Sequence, residues 1–372
     1  ESHVEDRAGP ELFKIAKTGL DSFAGALKKA SYEVLAPVQD GEATRFGVLS
    51  DEEIQIPRLS TRPLKELFFP QDEPLLSFGC GGAEAMSVEA SGVVASESIS
   101  PRVVLGARPC DARSLVLLDN VFVSSEYRDP YYAVRREKTV IITFACLSPG
   151  AACFCESTGS GPYDETGSDI LFMGLADSYV VKPVSERGKG LLKEVFPLSE
   201  DGFSGESCIL HPVDGEDIQA AVDATRAEEK LAAFAGVPVE AAVAALQDVD
   251  AFDASTWEEI YRKCLGCAVC TYLCPTCHCF DIGDEIVGAS GERVRNWDSC
   301  MFPLFTLHAS GHNPRPSKKE RFRQRVMHKF SYFVENNGCV ACVGCGRCVE
   351  ACPVNQDMRQ ILSVFASRGG GS

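Results

Sequence analysis

An α/β amino-terminal domain followed by a mainly α-helical, cysteine-rich domain is the architecture this sequence predicts, on three observations. Strand and helix patterns alternate through the first two hundred residues, as in βαβ units. A turn-rich stretch, SEDGFSGES, then gives way to Ala-rich helical sequence from Ile218 to Leu246. Beyond residue 250, cysteines crowd into two runs of identical spacing with helix-like sequence between them. The expected divisions are an α/β domain over 1–200, a helical bridge over 201–250, a helical cysteine domain over 251–366 and a tail over 367–372.

Taken in order, Leu12, Ala16, Leu20, Phe23 and Leu27 recur at spacings of three and four, which predicts an opening amphipathic helix. YEVLAPV, a DGE turn and TRFGVLS read as a hairpin. RVVLG (Arg102 to Gly106) and TVIITFA (Thr139 to Ala145) read as buried strands separated by a helix from Ala112 to Asp119, the βαβ pattern. DILFMGL and SYVVKPV continue the strands, and GKGLLKEVF predicts a helix. Thr256 followed by Glu259 reads as a capping box that starts WEEIYRK and delivers the chain into Cys264.

Composition narrows the function. The chain of 372 residues is 45% hydrophobic and 24% charged, an ordinary globular balance that permits two or three domains. A net charge of −17 argues against nucleic acid, whose phosphates need a basic surface. No run of eighteen uncharged apolar residues appears and no leader pattern opens the chain, so no membrane span and a cytoplasmic location are expected. In a reducing compartment, eighteen cysteines point to metal ligation ahead of disulfides.

CLGCAVCTYLCP (Cys264 to Pro275) and CVGCGRCVEACP (Cys342 to Pro353) share gaps of two, two and three residues before Cys-Pro. A cubane needs four converging thiolates. In two-cluster ferredoxins the last cysteine of each such run serves the other cluster, and the proline turns the chain away. That logic assigns Cys264, Cys267, Cys270 and Cys352 to one 4Fe-4S cluster, and Cys342, Cys345, Cys348 and Cys274 to a second. The small residues Gly266, Ala268, Gly344 and Gly346 let amides approach the sulfurs. Structural zinc, which prefers two CxxC pairs across a loop, fits four-cysteine runs ending in Cys-Pro poorly. The expected fold is thus an α+β or α/β domain followed by a mainly helical, ferredoxin-like two-cluster domain.

A third cluster is a further expectation. Cys110 in RPCDAR directly precedes Asp111, read as a helix N-cap, where the dipole favours thiolate. Cys146 ends a strand. If the two strands are parallel neighbours, both thiols sit at the carboxyl edge of the sheet, with Cys153 and Cys155 on the Pro/Gly loop beyond; ordinary buried thiols are the competing reading. Cys80, Cys208 and Cys339 read as small buried hydrophobes, while Cys277, Cys279 and Cys300 stay open. His278, His308, His312 and His328 read as polar or supporting residues. RPSKKERFRQRVMHK, from Arg315, reads as a solvated helix face, or as charge that offsets clusters or docks an acidic partner, with Phe322, Val326 and Phe330 on a buried face.

CPTCHCF, RNWDSCMF, GHNPR, RFRQRVMHKF and CVGCGRC, with the upstream ARPCDARSLVLLD, DPYY, RRE and CFCES, give the chain a family resemblance from about Arg102 to Val364. It resembles the 4Fe-4S dicluster electron-transfer proteins typified by sulfhydrogenase beta subunits and by their counterparts in anaerobic sulfite reductases. The resemblance implies an electron relay in a larger complex, with a flavin subunit that binds NAD(P) on one side and a catalytic hydrogenase or reductase subunit on the other. It also implies the eight cysteines of the runs as ligands, with CFC and PCD as candidates for an additional cluster. Cys339 departs from the pattern and offers an alternative to Cys342. No GxGxxG or GxxxxGK[ST] turn supports nucleotide binding by this chain. The competing function is a catalytic subunit that reduces a small sulfur compound at a cluster; a regulatory sensor lacks any DNA-binding motif.

Overall fold

The computed structural model describes residues 12–50, 59–79, 88–90, 99–196, 198–199, 202–203, 210–213, 219, 223 and 236–369. In chain order the strands of the first half are β1 (Phe13–Ala16), β2 (Glu33–Asp40), β3 (Ala43–Val48), β4 (Asp72–Gly79), β5 (Val88–Ala90), β6 (Arg102–Ala107), β7 (Thr139–Phe144), β8 (Ile170–Gly174), β9 (Ser178–Pro183), the short pair β10 (Leu198–Ser199) and β11 (Gly202–Phe203), and β12 (His211–Pro212). One sheet of eight strands runs in the order β12-β1-β9-β8-β7-β6-β2-β3. Its centre, β2, β6, β7 and β8, is parallel, and the apolar sequence of β6 to β8 is what burial on both faces demands.

Helices α1 (Leu20–Lys29) and α4 (Glu186–Val195) put Phe23, Leu27, Leu191 and Leu192 against one face, where they meet Ile142, Phe144 and Phe172. Between them in the chain, α2 (Pro109–Phe122) and α3 (Pro130–Glu137) cover the other face with Leu115, Leu118, Phe122 and Tyr132. The hairpin and βαβ readings therefore hold.

The opening helix is shorter than its periodicity predicts. Phe13–Ala16 is strand β1, paired antiparallel with β9, and helix begins at Leu20. Phe13 and Ile15 satisfy an alternating pattern as well as a helical one, and the open edge of β9 supplies backbone partners that decide between them. At α2 the N-cap is Arg108 instead of Asp111: the Asp111 carboxylate, one turn in, accepts from the Arg108 amide at 3.2 Å. The capping box expected at Thr256 is absent; Ser255 precedes the helix Thr256–Ile260, and the Thr256 hydroxyl is buried without a partner among the described residues.

The carboxyl-terminal half is not helical throughout. It contributes a long hairpin, β13 (Phe280–Val287) and β14 (Ser290–Trp297), and β14 pairs with β4 to give a second sheet of order β13-β14-β4-β5. Buried Arg295 on β14 is ion-paired to Glu73 of β4 and to Asp129 at the start of α3, while Arg135 of α3 also reaches Glu73. Around the cysteine runs, Trp257, Phe322, Val326, Phe330, Leu362 and Phe365 form a separate core. The helix Val239–Gln247 packs into this core with Ala242 and Leu246, against the helix Met358–Gly369; most of the remaining Ile218–Leu246 segment lies outside the described residues.

Helix Lys318–Met327 starts with a capping box from Ser317 and Glu320. It continues through a π-helical turn at His328–Tyr332 into Phe333–Asn337. The wider turn frees the Lys329 carbonyl, which accepts from the Ala341 amide at 2.9 Å and anchors the second cysteine run.

Candidate iron–sulfur centres

The two cysteine runs are folded alike. Gly266 and Ala268 in the first, Gly344 and Gly346 in the second, occupy the same left-handed positions, with φ of 75°, 63°, 61° and 76°. One-turn helices follow, Val269–Tyr272 and Arg347–Glu350. Holding alanine in this conformation costs about 1–2 kcal/mol, so the loop shape is imposed by its surroundings. The twist aims amides at sulfur: Gly266 N–H lies 3.4 Å from Cys264 Sγ, and Gln356 N–H lies 3.2 Å from Cys352 Sγ.

Two groups of four thiols result. Cys264 has Cys270, Cys267 and Cys352 as its sulfur neighbours, and these four line a cavity with Met301, Phe322 and Ile361. Cys274 faces Cys342, Cys345 and Cys348. The last cysteine of each run thus lies with the first three of the other, as the spacing predicts. Cys348 also borders the first cavity, so the groups are adjacent. Burial pushes Cys342 up to about 11 and Cys348 to about 12. Cys267 is exposed while Cys274 and Cys345 are buried, so the first group lies at the surface and the second inside.

Buried cations surround them. Arg325, 3% exposed, donates to the Cys270 carbonyl at 3.0 Å. Lys329, 4% exposed, donates to Thr276 Oγ1 and the Ala341 carbonyl, both at 2.7 Å. Arg347 is paired with buried Asp111 at 2.8 Å and donates to the Ser60 carbonyl at 2.8 Å. The segment from Arg315 is therefore more than a solvated face, because Arg321, Arg325 and Lys329 are buried with Phe322, Val326 and Phe330.

Arg325 Nε and Arg347 Nη1 are buried beside the thiols and have no partner among the described residues. Unmet donors of this kind cost about 1–3 kcal/mol each. Anionic clusters rich in sulfide would satisfy both, so the donor set fits the group its cysteines imply. A single zinc ion fits less well: among the described residues no three His, Cys, Asp or Glu side chains close round one metal position.

The amino-terminal thiols also converge. β6 and β7 are parallel neighbours, and Cys110 and Cys146 both lie just past their carboxyl ends. Cys146 is beside Cys110, Cys153 and Cys155. The loop carrying the last two packs on the second run: Phe154 N–H donates to the Gly344 carbonyl at 2.7 Å, and Cys153 Sγ to the Cys345 carbonyl at 3.6 Å. A Cβ on Gly344 would lie 2.5 Å from backbone atoms of Phe154 and Cys155, so only glycine permits the contact. Cys110 sits one residue inside α2, and burial, outweighing the helix dipole, raises its thiol well above its usual range. Burial likewise pushes Cys153 up to about 12 and Cys155 to about 11.

Residues 263–356 match the family described as the 4Fe-4S dicluster domain. The beta subunit of sulfhydrogenase 2 from Pyrococcus furiosus is 36% identical over 262 residues, 70% of this chain and 72% of that protein. The chain belongs to the sulfhydrogenase beta-subunit family of 4Fe-4S dicluster proteins. No solved structure matches it, and no helix among the described residues is long and apolar enough to cross a membrane.

Other residues of this family member sort themselves by position. Cys339 has no cysteine among its charged neighbours and packs near Leu117 and Phe333, while Cys342 stays within the second thiol group. Cys80 and Cys208 lie outside the described residues. His278 and His328 stack edge-on at 5.4 Å, and burial pushes each down to about 4, so both are neutral. His308 and His312 are exposed. Sequence reasoning missed Lys65, which reaches the cysteine domain from two hundred residues upstream and donates to the Cys277 carbonyl at 2.7 Å. Nothing in its local sequence, RPLKELFF, signals that role.

Proposed function

We propose that this chain is the iron–sulfur electron-transfer subunit of an anaerobic, cytoplasmic redox complex, relaying electrons between a flavin/NAD(P)-binding partner and a catalytic hydrogenase or reductase subunit. In a largely helical frame, Cys264, Cys267, Cys270 and Cys352 hold one 4Fe-4S cluster, and Cys342, Cys345, Cys348 and Cys274 a second. Cys110, Cys146, Cys153 and Cys155 hold a third. The observation that carries this reading is the series of three thiol groups in contact: exposed Cys267 at one end, the buried second group in the middle, and the amino-terminal group seated on it through Gly344. The beta-subunit name of the relative supports membership of a complex.

When bound, such clusters supply one-electron oxidation and reduction, at potentials tuned by charge, hydrogen bonds and exposure. The chain's own residues set those terms. Arg325, Lys329 and Arg347 offset thiolate charge, the loop amides donate to sulfur, and Met301, Phe322 and Ile361 give the first cavity an apolar lining.

Iron and acid-labile sulfide per chain test the assignment, with low-temperature EPR. The two runs alone account for about eight irons and the amino-terminal group for about four more. Cys110→Ala and Cys153→Ala are expected to remove the latter and leave the former. An iron-free, zinc-loaded protein from anaerobic preparation overturns the reading. Turnover of sulfite or polysulfide by the isolated chain overturns the relay role in favour of a catalytic one.

A further inference from the structure

Cys277, Cys279 and Cys300 remain outside the three groups above, and the fold gathers them. Cys277 and Cys279 follow the first run, whereas Cys300 is more than twenty residues further on. The β13–β14 hairpin closes that gap. Its last ladder pair is Phe280 with Trp297, and the Asp298 amide extends the pairing to the Cys279 carbonyl at 3.0 Å. The chain then turns so that the Cys300 amide and thiol both face the Cys279 sulfur, with Cys277 beside Cys300. Cys277 in turn hydrogen-bonds Cys274 of the second group.

The surroundings are those of an anionic site. Lys65 is 2% exposed, with its ammonium on the Cys277 carbonyl and 3.8 Å from the Trp297 ring centroid. No carboxylate among the described residues pairs with it; the closest negative charges available are thiolates of Cys277, Cys274 and Cys279. Lys329 faces two of these sulfurs, Cys274 and Cys277. The Lys65 ammonium has carbonyl and ring partners but no counter-ion, and a buried charge without one is unfavourable. Metal-bound thiolates supply the missing anion. The three sulfurs do not close round a single ion position, and an iron–sulfur unit, which offers a separate iron to each thiolate, does not require that they do.

We propose that Cys277, Cys279 and Cys300 ligate a further iron–sulfur unit, next to the second thiol group, with Lys65 as its counter-charge. Three cysteines leave such a unit one position for a ligand other than cysteine, which a relay can fill with a nitrogen or oxygen donor. Loading from equal parts of ferrous and ferric iron with sulfide binds the three cysteines as thiolates and releases their three protons to solvent, with no change of oxidation state at iron, sulfide or cysteine.

Anaerobic native mass spectrometry of the intact chain, reconstituted with ferrous and ferric iron and sulfide, counts the inorganic units directly. The expected result is one unit that survives Cys110→Ala and Cys342→Ala and disappears in Cys277→Ala/Cys279→Ala/Cys300→Ala. Alanine is used because serine can itself ligate iron. Lys65→Met, which leaves every thiol in place, is expected to lose the same unit at a lower chelator concentration than wild type. Wild-type protein lacking the unit, or a triple variant retaining it with unchanged far-UV circular dichroism, overturns the proposal. Loss of units in Cys264→Ala or Cys342→Ala reports separately on the two runs, so failure of the relay reading and failure of this site are distinguishable.

Discussion

Replacing Gly344 with alanine, and Gly266 with alanine for comparison, separates the cost of a loop shape from the cost of a contact. Both glycines are left-handed, with φ of 61° and 75°, so each substitution costs about 1–2 kcal/mol for the conformation. Their surroundings differ. The new Cβ at 344 would stand 2.5–2.6 Å from the backbone of Phe154 and Cys155, which cannot swing aside as a side chain can; at 266 the nearest atoms are 3.9 and 4.0 Å away. Overpacking adds about 1–3 kcal/mol, so Gly344→Ala is expected to cost about 2–5 kcal/mol and Gly266→Ala about 1–2. Guanidinium unfolding of anaerobically loaded protein, followed by circular dichroism and visible absorbance, measures both. Alkylation of Cys153 should accelerate in Gly344→Ala alone. Equal destabilisation of the two variants, or an unchanged Cys153, would show that the amino-terminal loop is not seated on the second run.

Breaking the buried Arg347–Asp111 pair by Asp111→Asn should cost about 3–5 kcal/mol, and Asp111→Leu/Arg347→Met should recover part of it in the same unfolding assay. Arg325→Gln removes a buried cation beside Cys270 and Cys348; it should lower the reduction potential of the nearest cluster by on the order of 100 mV in an EPR-monitored titration, and a rise would contradict the charge argument. Metal-free protein should lose stability as pH climbs above 9. Burial lifts Cys153 and Cys348 from 9.0 to about 12, so the unfolded chain sheds these protons first, and stability present below pH 9 drains away towards pH 12; a midpoint flat from pH 8 to about 10.5 would refute this.

Much of the candidate site was legible because cysteine loops of this spacing leave a local signature. Two runs of equal spacing, each closed by Cys-Pro, marked eight thiols that the fold brings into two neighbouring groups, and the small residues marked where the chain twists. The carboxyl-edge placement of Cys110 and Cys146 followed from reading β6 and β7 as parallel. What stayed hidden depends on contacts remote in sequence. Phe13 and Ile15 became strand because β9 offered an open edge. Asp111 serves Arg108 as a cap partner and Arg347 as a buried counter-ion, and no window around RPCDAR contains the second contact. The gathering of Cys279 and Cys300 needed the hairpin register, and the charged sequence of β13 and β14 hid a pair that β4 completes.

That borrowed strand has a practical corollary. Excising the cysteine-rich half as a free-standing ferredoxin would strip β4 from β14 and bare a row of amides and carbonyls, the kind of raw edge along which chains stick to one another. It would also strand Arg295 without Glu73. The two halves are welded by a seam that neither can supply alone, so a gene fragment starting after residue 250 should yield insoluble material, however complete its set of cysteines.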